Sequence, residues 1–275
     1  MSDIIELSDD EGAVSESFAM MPPPPLEKVV LLTTPVAAPA LWSVGGPASR
    51  LLVPIREATS KAEFDFVAKR WVDGGMKRTA IHTVYRIQNG ALYSTYVTYR
   101  SGLAAAARKR EPPMMAVKAE AGGSRAATAA AEEAEAELAN EDTLWHGADD
   151  GTIRSIIKHG FDMRVSNQMG ALGAGNYFAW KASYSVTYAV MAKHSLGGSS
   201  SELPELHVPH GARMMLLARV ALGRPGPGNR GYRVPVEGSD SATCKANAIC
   251  CVFDNAACYP EYVVVFWQAG AGRQG

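Results

Sequence analysis

The reading of this chain turns on residues 144–188: Leu144-Trp145-His146-Gly147, then Gly160-Phe161-Asp162-Met163-Arg164, then GALGAGNYFAWKASYSVTY over 170–188. An aromatic residue precedes a His-Gly pair, and glycines at 173 and 175 lead into Tyr177-Phe178-Ala179. Tyr184, Ser185 and Tyr188 then fall within about one helical turn of one another. Singly these features say little. A His-Gly pair is commonly just a turn, and tyrosines four apart commonly pack in a core. Gly-x-Gly-x-Tyr also does not fit the Gly-x-Gly-x-x-Gly dinucleotide fingerprint. Together they are ingredients for gripping a flat heteroaromatic amide: a turn without side-chain bulk, a glycine loop ending in a tyrosine, and a Ser/Tyr cluster.

Outward from this stretch, Ala62–Val72 places Phe64, Val67, Ala68 and Trp71 at i, i+3, i+4 and i+7, which predicts an amphipathic helix that Gly74-Gly75 ends. Thr79–Gln88 alternates as a strand does, with Gly90 breaking it. Leu92, Tyr96 and Tyr99 have helical spacing over Ala91–Arg100. Downstream, Met214–Leu222 is a nearly continuous apolar run bounded by Gly223, which predicts a buried strand. Two more strands are expected at Ile249–Phe253 and Tyr262–Trp267. Helices dominate early and strands late, so the fold class is α+β.

Composition sets the outer limits. The 275 residues suffice for one large domain or two small ones, and 47% are hydrophobic, although much of that is alanine in biased segments. The formal net charge of −1 gives no global reason to expect nucleic-acid binding. The sequence holds no run of about 18 apolar residues, so no membrane span is expected. The acidic start MSDIIELSDDEG lacks the basic region of a secretory leader. Cys244, Cys250, Cys251 and Cys258 admit three readings: a disulfide pair, a zinc site, or reduced buried thiols. Zinc sites favour paired Cys-x-x-Cys spacing, whereas AICCVFD reads as a strand that sends Cys250 and Cys251 to opposite faces.

In their order and spacing, the residues of 144–188 resemble the NAD-binding core of the poly(ADP-ribose) polymerase family, the ADP-ribosyltransferases related to diphtheria toxin. The early helix and strand, the Ala-Arg-Val-x-x-Gly strand, Asp240-Ser241 and the terminal YPEYVVVFW extend the resemblance from about residue 60 to 268. It implies a diphtheria-toxin-like fold of mainly antiparallel sheet with flanking helices. It also implies a catalytic domain over 51–270, NAD as substrate, no metal, and protein acceptors. By the same resemblance His146 would bond the adenine-side ribose, and the backbone of Gly147 would clamp the nicotinamide amide. Ser185 would donate its hydroxyl to that amide, and Tyr177 and Tyr188 would sandwich the ring, with Tyr184 in the same cluster. Arg164 and Asn167 would line the diphosphate. A bulky Gly147→Trp is expected to block the slot while the protein stays folded.

In chain-forming members of that family a glutamate begins the strand before the last one. Here the position falls ten residues before Tyr259, at Ile249, while Glu261 belongs to the terminal strand. The implied triad is His146, Tyr177 and Ile249. A side chain without a proton acceptor cannot act as a general base, and in the family this replacement accompanies transfer of a single ADP-ribose. A second reading keeps the same fold as a catalytically weak or inactive module that binds NAD or serves SUMO-linked interactions.

Residues 1–50 are acidic and then Pro/Ala-rich, a composition that cannot bury enough apolar surface to order itself. Within them Ile4, Ile5 and Leu7 beside Ser8-Asp9-Asp10-Glu11 suit addition of a strand to another protein's sheet. They resemble a SUMO-interacting motif; an ordinary acidic tail is the other reading. Residues 103–140 read as a low-complexity inserted loop that leaves the fold intact, its closing run Ala126–Asn140 of high helix propensity staying solvated, and in it Val117-Lys118-Ala119-Glu120 fits a SUMO-attachment consensus. Arg108-Lys109-Arg110 is a minimal basic cluster, equally part of a solvated loop. The expected location is nuclear or nucleo-cytoplasmic.

Overall fold

The computed structural model describes Trp42 and residues 50–110, 125–189, 203–244, 246 and 248–267. All belong to the second of two units, Met1–Pro35 and Val36–Gly275. Ile4, Ile5 and Leu7, Lys118, and the Gly/Ser stretch 195–201 lie outside the described residues.

In chain order the elements are β1 (Arg50–Ile55), α1 (Lys61–Asp73), β2 (Ile81–Asn89), α2 (Gly90–Arg110), α3 (Arg125–Leu138), β3 (Glu141–His146) and α4 (Asp150–His159). Then come β4 (Asn176–Ala179), α5 (Ala182–Ser185), β5 (Arg213–Ala221), β6 (Pro225–Gly226), β7 (Ser241–Cys244), β8 (Ile249–Val252) and β9 (Cys258–Phe266). The strands form a nine-stranded sheet in the order β1-β2-β9-β5-β3-β4-β8-β7-β6. Every pair is antiparallel except β6 with β7, so the α+β architecture with flanking helices holds. Among the described residues, no helix is long and apolar enough to cross a membrane.

The apolar runs of β5 and β9 are continuous because both faces of these central strands are covered. Met214, Leu216, Ala218, Val220, Val263 and Val265 join one core cluster with Ile153, Ile156 and Ile157 of α4. Met215, Leu217, Tyr262, Val264 and Phe266 join a second with Val67 and Trp71 of α1. Trp71 meets Trp145 edge-on at 5.4 Å and Phe266 at 4.9 Å, in the geometry aromatic quadrupoles favour. Cys250 and Cys251 do enter different clusters, and all four cysteines are free thiols. The edge strand β1 went unread in the sequence. Its Pro54 is tolerated there because an edge position can spare a ladder hydrogen bond.

One expectation needs correction. Residues 103–140 are not a solvated insert throughout: α2 continues to Arg110 and packs along α3. Leu103, Ala104 and Ala139 are buried with Tyr93, Tyr96 and Tyr259, and residues 111–124 lie outside the described residues. The side-chain contacts of α3 with α2 run through Glu132, which accepts from the Tyr93 hydroxyl at 3.5 Å, and Glu135, which accepts from Arg100 at 3.4 Å. Arg108, Lys109 and Arg110 form the last turn of α2, where cations suit the helix dipole. In α1, the buried face also includes Glu63, whose two carboxylate oxygens accept from Arg86 of β2 at 2.8 and 2.7 Å. The Tyr262 hydroxyl donates to the same carboxylate at 3.1 Å.

A parallel set links Arg219 to Glu261 at 2.7 Å and to Glu141 at 3.3 Å, while Arg100 reaches Glu141 at 3.1 Å. Glu261 is the extra residue where the β5–β9 register shifts between Leu217 and Ala218, a bulge that turns its side chain to Arg219. These pairs line a cleft of about 410 Å³ whose walls include neither His146 nor Tyr177.

Removing one member of a buried ion pair takes away the counter-charge of the other. Glu63→Ala is expected to cost about 3–5 kcal/mol in urea unfolding, and adding Arg86→Met should recover a large part of that. A single variant indistinguishable from wild type would show that the pair is solvated.

Candidate functional site

The site is assembled where β3 ends and β4, β8 and α5 converge. Asp149 caps α4, its carboxylate accepting from the Thr152 N–H at 3.0 Å and the Thr152 hydroxyl at 2.6 Å. That cap starts a helix immediately after His146-Gly147-Ala148 and fixes how the chain leaves β3. The signal is present in the sequence, an Asp ahead of Ile153, Ile156 and Ile157.

His146 closes β3, and its Nδ1 lies 2.8 Å from the Tyr177 carbonyl oxygen. A carbonyl only accepts, so Nδ1 carries the proton and Nε2 is left as the ring's acceptor. The imidazole leans edge-on against Phe161 at 5.2 Å and against Phe178 at 5.7 Å. Burial pulls its pKa below the ordinary value, the bond to Tyr177 opposing the shift. The imidazole is therefore neutral near pH 7, with its acceptor nitrogen in place.

Tyr177 is fixed at both ends. Its hydroxyl accepts from the Leu172 N–H at 2.7 Å and donates to the Gly173 carbonyl at 2.8 Å. Burial pushes its pKa up to about 12, so it stays a neutral donor. Gly173 has φ +126°, a conformation that L side chains rarely adopt. An added Cβ at Gly175 would overlap the Val252 carbonyl and lie 2.6 Å from Cys251 Sγ. The glycine loop is thus pressed onto β8, and the loop after β6 holds it from outside, Ala174 N–H donating to the Tyr232 carbonyl at 2.7 Å. Nothing in the sequence pattern pointed to that second loop.

Gly147 runs against α5. A Cβ built there would fall inside contact distance of the Ser185 carbonyl oxygen and 2.9 Å from its carbon. Any side chain at 147 must move the main chain at 185, which corrects the expectation that Gly147→Trp leaves the fold untouched. The Ser185 hydroxyl is buried and donates to the Trp145 carbonyl at 3.0 Å. Donation to an amide, as the resemblance implies, would require the hydroxyl to turn away from that carbonyl.

Tyr184 and Tyr188 are stacked obliquely at 5.8 Å, and Tyr188 is 55% exposed, so neither is core packing. Ile249 is buried in a cluster with Leu172, Ala179, Ala242 and Cys251, against which Tyr177 packs. The register sets Ile249 opposite Ala179 and Cys251 opposite Tyr177, so Ile249 and Tyr177 share a sheet face. Arg164 and Asn167 stand apart on an exposed loop. The Arg164 guanidinium is engaged by Asp162 at 2.7 Å, and Asn167 Oδ1 accepts from the Met169 N–H at 3.0 Å. Among the described residues, no group of three or more His, Cys, Asp or Glu is arranged to hold a metal.

Residues 76–226 match the model of the poly(ADP-ribose) polymerase catalytic domain, more than half of the chain and all of the His146–Tyr188 region. The chain belongs to this family. It is 26% identical over 228 residues to human protein mono-ADP-ribosyltransferase PARP11, covering 78% of this chain and 59% of the relative. The mouse protein of the same name is 30% identical over 140 residues, covering 46% of this chain and 42% of the relative. A probable poly [ADP-ribose] polymerase of Dictyostelium discoideum is 32% identical over 130 residues, covering 46% and 34%. The chain therefore matches between a third and three fifths of the length of these relatives.

Two outcomes test the geometry. Gly147→Ala should lower stability by about 1–3 kcal/mol through overpacking against Ser185 and also weaken nicotinamide binding; calorimetry and thermal melts read both, and an unshifted melt would place α5 farther away. For His146, a depressed folded pKa means protonation favours the unfolded chain. Its contribution to stability should be constant above the ordinary value of about 6.5 and decline as pH falls below it. Wild-type protein should therefore lose more urea resistance between about pH 8 and pH 5 than His146→Asn does. Parallel curves would assign the titration to another group.

Proposed function

We propose that this chain is an NAD-dependent protein mono-ADP-ribosyltransferase. Membership of the family supports NAD as the substrate, and the alignment with proteins named mono-ADP-ribosyltransferases supports the single-unit product. The observation that carries the reading is the tie between His146 and Tyr177 beside the Gly147–Ser185 contact. It couples a ribose-hydroxyl acceptor, an aromatic face and a side-chain-free amide slot.

In this reading Gly147 and Ser185 hold the nicotinamide amide, Tyr177 stacks on the ring and Tyr188 closes over it. Each stack contributes about 0.5–1.5 kcal/mol beyond burial. Nε2 of His146 accepts from a hydroxyl of the adenine-side ribose. So held, the bond from ribose C1″ to the nicotinamide nitrogen breaks with its electron pair leaving on nicotinamide, and positive charge develops on the ribose. Positioning and electrostatics lower the barrier without a covalent intermediate. Ile249 supplies no proton acceptor, so an acceptor that is already anionic is favoured: its carboxylate oxygen bonds to C1″ with no proton to remove. A ribose hydroxyl on an attached unit would need deprotonation, and elongation fails.

Incubation with labelled NAD should give one added unit per site and no ladder. Ladders would overturn the assignment of Ile249 and the mono-transfer reading. NAD bound without any transfer would favour the non-catalytic module.

A further inference from the structure

The three most exposed large apolar side chains among the described residues are Val165 at 81%, Val234 at 69% and Met169 at 64%. Such residues are unremarkable when scattered, but these stand on two loops that are bonded to each other. Arg233 donates to Gln168 Oε1 at 3.1 Å, and the Tyr232 carbonyl accepts from Ala174 at 2.7 Å. Gln168 in turn donates to the Met163 and Ser166 carbonyls at 3.1 and 3.0 Å, which stiffens the first loop. Tyr232, itself 39% exposed, completes a rim that needs no ordering before something docks on it. The rim is continuous with the site, because Tyr177 donates to Gly173 at 2.8 Å and the Tyr232 carbonyl lies 2.8 Å from where a Gly173 Cβ would be. Exposed Arg230 and Arg233 flank the apolar side chains on the same loop.

We propose that Val165, Met169, Tyr232 and Val234 form the acceptor-docking surface. Its occupant is a segment of a partner protein that carries acidic side chains interspersed with aliphatic or aromatic ones. This rests on the transferase reading above and adds the class of acceptor. Apolar partner residues cover the rim, the arginines favour negative charge, and the hydrocarbon side chain of Ile249, which offers no proton acceptor, suits an acceptor that arrives already deprotonated.

The test uses the full chain, its Val165→Ser/Val234→Ser variant, and two labelled peptides. One peptide alternates glutamate with leucine, and in the other serine replaces each leucine. Anisotropy reads peptide binding, and nicotinamide release without peptide reads NAD hydrolysis by water. Wild-type protein should bind the leucine peptide about tenfold more tightly than the serine one, and the variant should lose that preference while NAD hydrolysis is unchanged. Equal binding of the two peptides by wild type, or a preference that survives in the variant, would overturn the docking surface whatever happens to NAD. Peptide preference lost in the variant, but no NAD consumed by wild type, would sink the transferase reading and leave the surface standing.

Discussion

Main chain passes main chain at the candidate site more closely than a side chain permits, and that constraint organises everything around it. At Gly147 a methyl group would collide with Ser185, and at Gly175 with Val252 and Cys251. Hydrophobic burial cannot enforce such approaches by itself; they depend on the absence of Cβ atoms. With the backbones in contact, Tyr177 can bridge the glycine loop through both roles of its hydroxyl, and His146 can reach the Tyr177 carbonyl. The candidate site is shaped by these main-chain approaches together with side chains that are themselves fixed, His146 by the Tyr177 carbonyl and Tyr177 by the glycine loop.

The charges of this domain are distributed in a way that bears on its chemistry. Glu63, Glu141 and Glu261 are engaged by arginines on the α1 side of the sheet, where they serve packing. At the candidate site the imidazole is neutral, the tyrosine keeps its proton and position 249 is hydrocarbon. Under the transferase reading, the enzyme brings orientation and hydrogen bonds, and the acceptor brings the negative charge. That division is economical for one transfer and unsuited to a second.

How much of this the sequence revealed depended on the range of the interaction. His146-Gly147, the glycine loop and the Tyr/Ser cluster were legible as short patterns in a recognisable order, whereas their contacts with one another, such as His146 with Tyr177 31 positions on, were not. The central strands were legible because burial on both faces leaves an unbroken apolar run. Glu63 was not: within a helical stripe it looks like a solvent-facing residue, and its partners Arg86 and Tyr262 lie 23 and 199 positions away. The docking of α3 on α2 was not legible because its contacts pass through Glu132 and Glu135, which look solvent-facing in sequence and reach partners 39 and 35 positions away. The loop that carries Tyr232 has neither periodicity nor a motif, and its part in bracing the glycine loop is a backbone hydrogen bond that no side chain advertises.

Two layers of the molecule therefore answer to different constraints. The layer around His146 and Tyr177 is set by glycines, buried hydrogen bonds and a shared core, so most changes there disturb folding. The rim is set by exposed side chains on braced loops, where substitution is usually worth within about ±0.5 kcal/mol of stability. Its loops are held to each other by backbone atoms and by Gln168, not by Val165 or Val234. Side chains at those two positions can be exchanged without loosening the loop that anchors Tyr177. On the proposed docking surface, acceptor choice would change there while the handling of NAD would not, the arrangement expected of binding residues carried on loops that a rigid scaffold positions.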